Sequence, residues 1–214
     1  MAAPAIKICG LSEPETLKAA IDAGACYVGF VFYPPSPRYI EIDTAKELAR
    51  QIPTGIRAVG LFVDPTNEQL EQTLGIVPLD MIQLHGKESP QRVSEIKTRY
   101  NLDIMKAINI REKSDLNIIP QYEAAADWLL FDSRPEQAAL PGGTGQSFDW
   151  SLLQGKTFSR PWMLSGGLTP ENVSDALAQL NPTALDVSSG VESAPGLKDP
   201  EKIKKFICKA QKPD

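Results

Sequence analysis

Eight short apolar runs, four to eight residues each, recur between longer amphipathic stretches from one end of the 214-residue chain to the other. They are Ala5–Cys9, Cys26–Phe32, Ile56–Val63, Met81–Leu84, Asp103–Ile108, Trp128–Phe131, Pro161–Leu164 and Ala184–Val187. Several are apolar almost without interruption, the pattern of parallel strands covered on both faces. Helix-start signals stand between them. Ser12-Glu13-Pro14-Glu15 puts Ser12 and Glu15 at capping-box spacing, with Pro14 tolerated in the first turn and the helix ending near Gly24. Others lie at Asp43-Thr44, Pro65-Thr66-Asn67-Glu68, Ser89-Pro90, Thr169-Pro170-Glu171-Asn172 and Asp199-Pro200-Glu201. Eight strand–helix pairs, with no linker rich in Gly, Ser or charge, predict one α/β domain over residues 1–214, a single (β/α)8 TIM barrel. An open doubly wound sheet is the alternative; against it, no G-x-G-x-x-G follows the first run.

Charge narrows the partners. The net charge is −5 and no dense Lys/Arg patch appears, which argues against nucleic acid and against an anionic membrane surface. The basic cluster Lys202 to Lys205 is read as complementing a helix dipole and meeting solvent. Cys9, Cys26 and Cys208 are odd in number, widely spaced and without a C-x-x-C pair. That argues against a disulfide framework and a zinc site and favours a reducing, cytoplasmic compartment. Cys26 and Cys208 are read as packing. One histidine, His85, gives no basis for a metal cluster. The segment Met1–Ala5 has neither a basic region nor a long apolar stretch, so neither a secretion signal nor a membrane span is expected. Met1 and the self-contained count of units predict a free-standing polypeptide, as monomer or homodimer.

In such a barrel, chemistry belongs at the C-terminal ends of the strands. Two long connections fall there, Tyr33–Glu41 and Ser133–Ser147, the second containing Gly142-Gly143-Thr144-Gly145. The last two strands end in Ser165-Gly166-Gly167 and Ser188-Ser189-Gly190. Such turns let backbone N–H groups approach a phosphate, aided by a short helix after strand 8; the plainer reading is tight turns only. Asp132 closes strand 6 on the face of Trp128 and Leu130 and suits either a general acid or a loop cap. Arg38, on a proline-stiffened loop, suits a substrate carboxylate, or else a surface pair with Glu41 or Asp43. Cys9 reads as packing, or as a thiol of lowered pKa acting as base or nucleophile. Lys7 shares its face; Lys7 or Lys106 would serve as a Schiff-base nucleophile, or as the charge that lowers the Cys9 pKa. His85 reads as a hydrogen-bonding shelf near the mouth.

Taken in order, Lys7-Ile8-Cys9-Gly10, Gly29-Phe30-Val31-Phe32 with Ser36-Pro37-Arg38, Gln83-Leu84-His85-Gly86, Asp132, Gly142-Gly143-Thr144-Gly145 with Phe148-Asp149-Trp150, Leu164-Ser165-Gly166-Gly167-Leu168 with Pro170-Glu171-Asn172-Val173, and Asp186-Val187-Ser188-Ser189-Gly190-Val191-Glu192 resemble the phosphoribosylanthranilate isomerase family. The resemblance runs from about residue 6 to residue 207. It implies a cytoplasmic (β/α)8 isomerase of tryptophan biosynthesis that acts on a small phosphoribosyl substrate and uses no metal and no organic cofactor. It further implies Cys9 as general base, Asp132 as general acid and Arg38 as reader of the anthranilate carboxylate. Gly166, Gly167, Ser188, Ser189 and Gly190 would bind phosphate, with Lys7, His85, Gly143 and Asp186 in support.

Overall fold

A computed structural model describes residues 3–133 and 149–211. The sheet is a closed parallel barrel in the order β1 (Ala5–Cys9), β2 (Tyr27–Val31), β3 (Arg57–Phe62), β4 (Met81–Leu84), β5 (Asp103–Ile110), β6 (Trp128–Ser133), β7 (Trp162–Leu164) and β8 (Ala184–Val187). Closure comes from β1 pairing with β8, Lys7 opposite Asp186. Three strands have the bounds expected from sequence. Others trim at their ends, whereas β5 and β6 lengthen together because they pair from Met105↔Trp128 to Ile110↔Ser133. Asp132 therefore sits inside the ladder, opposite Asn109, rather than in a loop.

Seven α-helices cover the outside among the described residues: α1 (Pro14–Ala23), α2 (Ile42–Ala49), α3 (Asn67–Leu74), α4 (Pro90–Tyr100), α5 (Ile119–Ala125), α6 (Val173–Gln179) and α7 (Pro200–Gln211). The ring of helices closes where α1 packs against α7. Caps set several boundaries. Thr66 and Gln69 form a reciprocal capping box on α3, and the Ser89 hydroxyl accepts from the Arg92 N–H at the start of α4. The capping box expected from Ser12 and Glu15 does not form. Pro14 starts the helix itself, so Glu13 is the N-cap and Ser12 falls one residue too early.

Two connections add detail, and two further expectations are corrected. Between β6 and β7 the described residues form a 3-10 turn, Trp150–Leu153. A short antiparallel hairpin, β9 (Glu192–Ala194) with β10 (Leu197–Lys198), intervenes between β8 and α7. Lys202 to Lys205 lie near the start of α7, the wrong end for its dipole. Their partners are local: Lys202 donates to the Glu192 carbonyl, Lys204 pairs with Glu201 and Lys205 with Glu171. Cys26 and Cys208 are exposed, not packed.

Two-residue alternation divides the barrel strands into two sets. Outward residues such as Ile6, Ile8, Phe30, Ile82, Ile104, Leu129 and Phe131 join the helices in one large core. The inward set fills the barrel floor with Tyr27, Val59, Met81, Met105, Leu130 and Met163. Above this floor the inward positions turn polar: Lys7, Gln83, Asp132 and Asp186 are all buried. Burying so many polar side chains is costly unless each is paired, so the change from apolar floor to polar mouth marks where this fold spends stability on function.

Candidate active site

Cys9, Arg38, His85, Asp132, Ser165, Asp186 and Ser188 line one cavity, closed on its apolar side by Val31, Leu61 and Val63. It opens at the C-terminal ends of the strands, so strands distant in sequence deliver their last inward residue to one place. No helix among the described residues is long and apolar enough to cross a membrane.

On β1, Lys7 and Cys9 point inward one above the other. Lys7 Nζ is fully buried and donates to Asp186 Oδ1 at 2.7 Å; the Ser165 hydroxyl donates to Asp186 Oδ2 at 3.0 Å. Asp186 thus has both oxygens engaged. Burial disfavours the Lys7 ammonium, but the Asp186 charge, with Cys9 behind it, outweighs burial and raises the Lys7 pKa. A lysine kept as ammonium is no nucleophile. Lys106 fares no better as a Schiff-base candidate. It belongs to the outward set, and its Nζ donates to the Leu84 and Gly86 carbonyls and to Glu88 at 2.6 Å.

The expectation of a lowered Cys9 pKa is overturned. Burial is the largest influence and pushes the thiol above its ordinary value. Lys7 pulls the other way, but Asp186, which neutralises Lys7, adds to the rise. Sequence shows the neighbouring charge but not the desolvation that outweighs it.

Space for this pair comes from Gly29 on β2. A Cβ there would lie 3.1 Å from Cys9 Sγ and 3.2 Å from Lys7 Nζ. Gly29→Ala is expected to displace both groups and lower kcat several-fold while far-UV circular dichroism stays unchanged; unaltered kcat would show that the Cys9 position tolerates crowding.

Asp132 ends a short relay: Gln83 Nε2 lies 2.9 Å from His85 Nδ1, and His85 Nε2 lies 3.0 Å from Asp132 Oδ2. Arg38 pairs with neither Glu41 nor Asp43. Its Nε and Nη2 make a bidentate contact to Glu192 of β9, at 2.7 and 2.8 Å. Lys198 of β10 closes on the same carboxylate and donates to the Ser188 hydroxyl, which in turn donates to the Cys9 carbonyl. Burial works to raise the Glu192 pKa, but its bonds to Arg38 and Lys198 outweigh that and hold it below the ordinary carboxylate range. Two cations around one carboxylate leave the trio net positive, an electrostatic setting for an anion.

The turns after β7 and β8 meet at the other side of the mouth. Gly166 and Gly167 both have positive φ, +85° and +67°. A Cβ on Gly166 would stand 2.4 Å from the Ser133 nitrogen, so both the conformation and the space demand glycine. Asn172 pins this turn by donating to the Gly167 carbonyl and accepting from the Thr169 N–H. Gly190 backs against the Leu168 carbonyl. The short helix expected after β8 is a three-residue 3-10 turn, Ser189–Val191, too brief to carry a useful dipole. Gly143 and its neighbours Gly142, Thr144 and Gly145 lie outside the described residues.

Four contributors went unassigned at the level of sequence: Gln83, Ser165, Glu192 and Lys198. Alternation with His85 and with Met163 carries a signal for the first two. None exists for the last two, which reach the mouth only through the hairpin.

A closed barrel with a thiol, a carboxyl and an arginine at the C-terminal mouth defines a (β/α)8 enzyme acting on a small anionic molecule. The family model of N-(5'-phosphoribosyl)anthranilate isomerase matches residues 6–209, and the chain belongs to that family. It is 53% identical to the N-(5'-phosphoribosyl)anthranilate isomerase of Paracoccus denitrificans, over 99% of each chain. It is 52% identical to that of Rhodospirillum centenum, over 95% of this chain and 96% of the relative. The crystal structure of the Thermotoga maritima phosphoribosyl anthranilate isomerase superposes with a TM-score of 0.87 at 37% identity, over 97% of this chain and 98% of that one. A phosphoribosyl anthranilate isomerase in complex with reduced 1-(o-carboxyphenylamino)-1-deoxyribulose 5-phosphate matches with a TM-score of 0.83 at 35% identity, over the same shares.

Proposed function

We propose that the chain catalyses the Amadori rearrangement of N-(5-phosphoribosyl)anthranilate to 1-(2-carboxyphenylamino)-1-deoxyribulose 5-phosphate, with Asp132 as general acid and Cys9 as general base. The observation that carries this reading is the convergence of Cys9, Asp132 and Arg38 on one cavity. The substrate needs an acid, a base and an anion reader at once, and β1, β6 and the loop after β2 supply one each.

The steps follow from the substrate's chemistry. Asp132 gives its proton to the ribose ring oxygen as the C1–O bond breaks, and the anthranilate nitrogen lone pair closes to an iminium. The Cys9 thiolate then takes the proton from C2, and the electrons of that bond neutralise the iminium to an enolamine. Uptake of a proton at C1 and loss of one from the C2 hydroxyl give the ketose and restore the thiolate and the acid. Every step is a proton transfer, so no metal or organic cofactor is required. Cys9 forms no bond to substrate.

Two anionic ends hold the sugar between these groups. The phosphate is assigned to the turns of Gly166 and Gly167 and of Ser188, Ser189 and Gly190, and the carboxylate to Arg38. Anchoring both ends makes the proton transfers effectively unimolecular. Lys7 and Asp186 support Cys9 from below, and His85 supports Asp132. The reaction belongs to tryptophan biosynthesis, and the odd, widely spaced cysteines support a reducing, cytoplasmic compartment. The enzyme acts as a monomer or homodimer; the Thermotoga maritima relative is described as dimeric.

Losing a charge-assisted hydrogen bond costs about 1.5–3 kcal/mol, so Arg38→Ala is expected to raise KM roughly tenfold to a hundredfold with little change in kcat. An unchanged KM would remove Arg38 from the carboxylate role. The pH dependence is equally specific. With the Cys9 pKa raised, the base form grows only above the ordinary thiol range. The ultraviolet thiolate absorbance that wild type shows over Cys9→Ser should therefore appear only above the ordinary thiol range, and a Cys9 thiolate already fully formed at pH 7 would contradict the raised pKa.

A further inference from the structure

Gln83 is an amide at the centre of β4, between the apolar floor and His85, and it is completely buried. Its Nε2 faces His85 Nδ1 at 2.9 Å, while its Oε1 is buried without a hydrogen-bond partner among the described residues. An imidazole nitrogen either donates or accepts. Facing an amide N–H, Nδ1 must accept, so the ring proton sits on Nε2, which donates to Asp132 Oδ2 at 3.0 Å.

We propose that Gln83 is a positioning residue that fixes the tautomer of His85 and so directs the proton of Asp132 toward the substrate. The proposal rests on the reading of Asp132 as general acid. With Oδ2 accepting from His85, the proton that Asp132 donates rides on Oδ1. His85 cannot divert that proton through Nε2, which is already protonated. The amide thus sets the direction of the whole relay from β4 through β6.

His85 is the only histidine in the chain, so the imidazole nitrogens of the uniformly 15N-labelled full-length protein are observed without assignment. At pH 7.5 the long-range proton–nitrogen spectrum is expected to show Nε2 protonated and Nδ1 unprotonated. Gln83→Glu places an acceptor against Nδ1 and is expected to draw the ring proton there. Its kcat should fall at least about tenfold, with KM within about twofold. Gln83→Met, similar in shape but without a donor, should lose the tautomer preference and keep the fold. A wild-type spectrum with Nδ1 protonated would overturn the proposal, and so would a Gln83→Glu variant with unchanged spectrum and kcat. If Gln83→Glu does not fold, the wild-type spectrum decides. Retained turnover in Asp132→Asn would overturn the acid assignment, and the proposal with it, whatever the spectrum.

Discussion

Cys9→Ser lowers kcat by about two to four orders of magnitude and leaves KM close to its starting value. The replacement is nearly isosteric, and the buried site keeps Lys7 and Gly29 around it, so packing is conserved. What changes is the acidity of the group. A hydroxyl yields its proton far less readily than a thiol, so the base that takes the C2 proton disappears. Binding should survive because the anchors lie elsewhere, on Arg38 and on the turns after β7 and β8. A Cys9→Ser enzyme with turnover near the wild-type value would assign the C2 proton to another group. Near-UV circular dichroism serves as the control that the mouth has not rearranged.

Asp132→Asn should produce a loss of similar size, for a different reason. An Asn carbonyl can still accept from His85 Nε2 and preserve the 3.0 Å contact seen for the carboxyl. The amide has no acidic proton to give to the ring oxygen, so ring opening slows while the relay stays intact. A fall of about two to four orders of magnitude in kcat is expected. The two variants fail at different steps. Asp132→Asn stalls before the ring opens, Cys9→Ser after it. Substrate deuterated at C2 tells them apart: Cys9→Ser should show a primary isotope effect on kcat, and Asp132→Asn should not. An isotope effect in both would contradict the order of steps.

The strand pattern and its parity were legible in the chain. Continuous apolar runs located all eight barrel strands, and alternation put Cys9 with Lys7 and Asp132 with Leu130 on one face, which in the barrel is the inner one. The mouth was legible only in part. Arg38 meets Glu192 across 154 residues, through a hairpin whose strands are three and two residues long. Strands that short carry no periodicity, so Glu192 and Lys198 had no local signal. Charge was misread where burial decides. Lys7 beside Cys9 suggested a lowered thiol pKa, yet the 4% exposure of Cys9 and the Lys7–Asp186 pair reverse the sign. The Ser12 capping box failed for a purely local reason, a proline that starts the helix two residues later.

The central claim is tested most directly by presenting the purified enzyme with freshly generated N-(5-phosphoribosyl)anthranilate and following the loss of its anthranilate-type fluorescence, with Cys9→Ser measured alongside. The predicted result is rapid, saturable loss with the wild type and a saturated rate at most about one hundredth as large with the variant. Fluorescence that persists with the wild type, or that decays equally fast with both proteins, would contradict it.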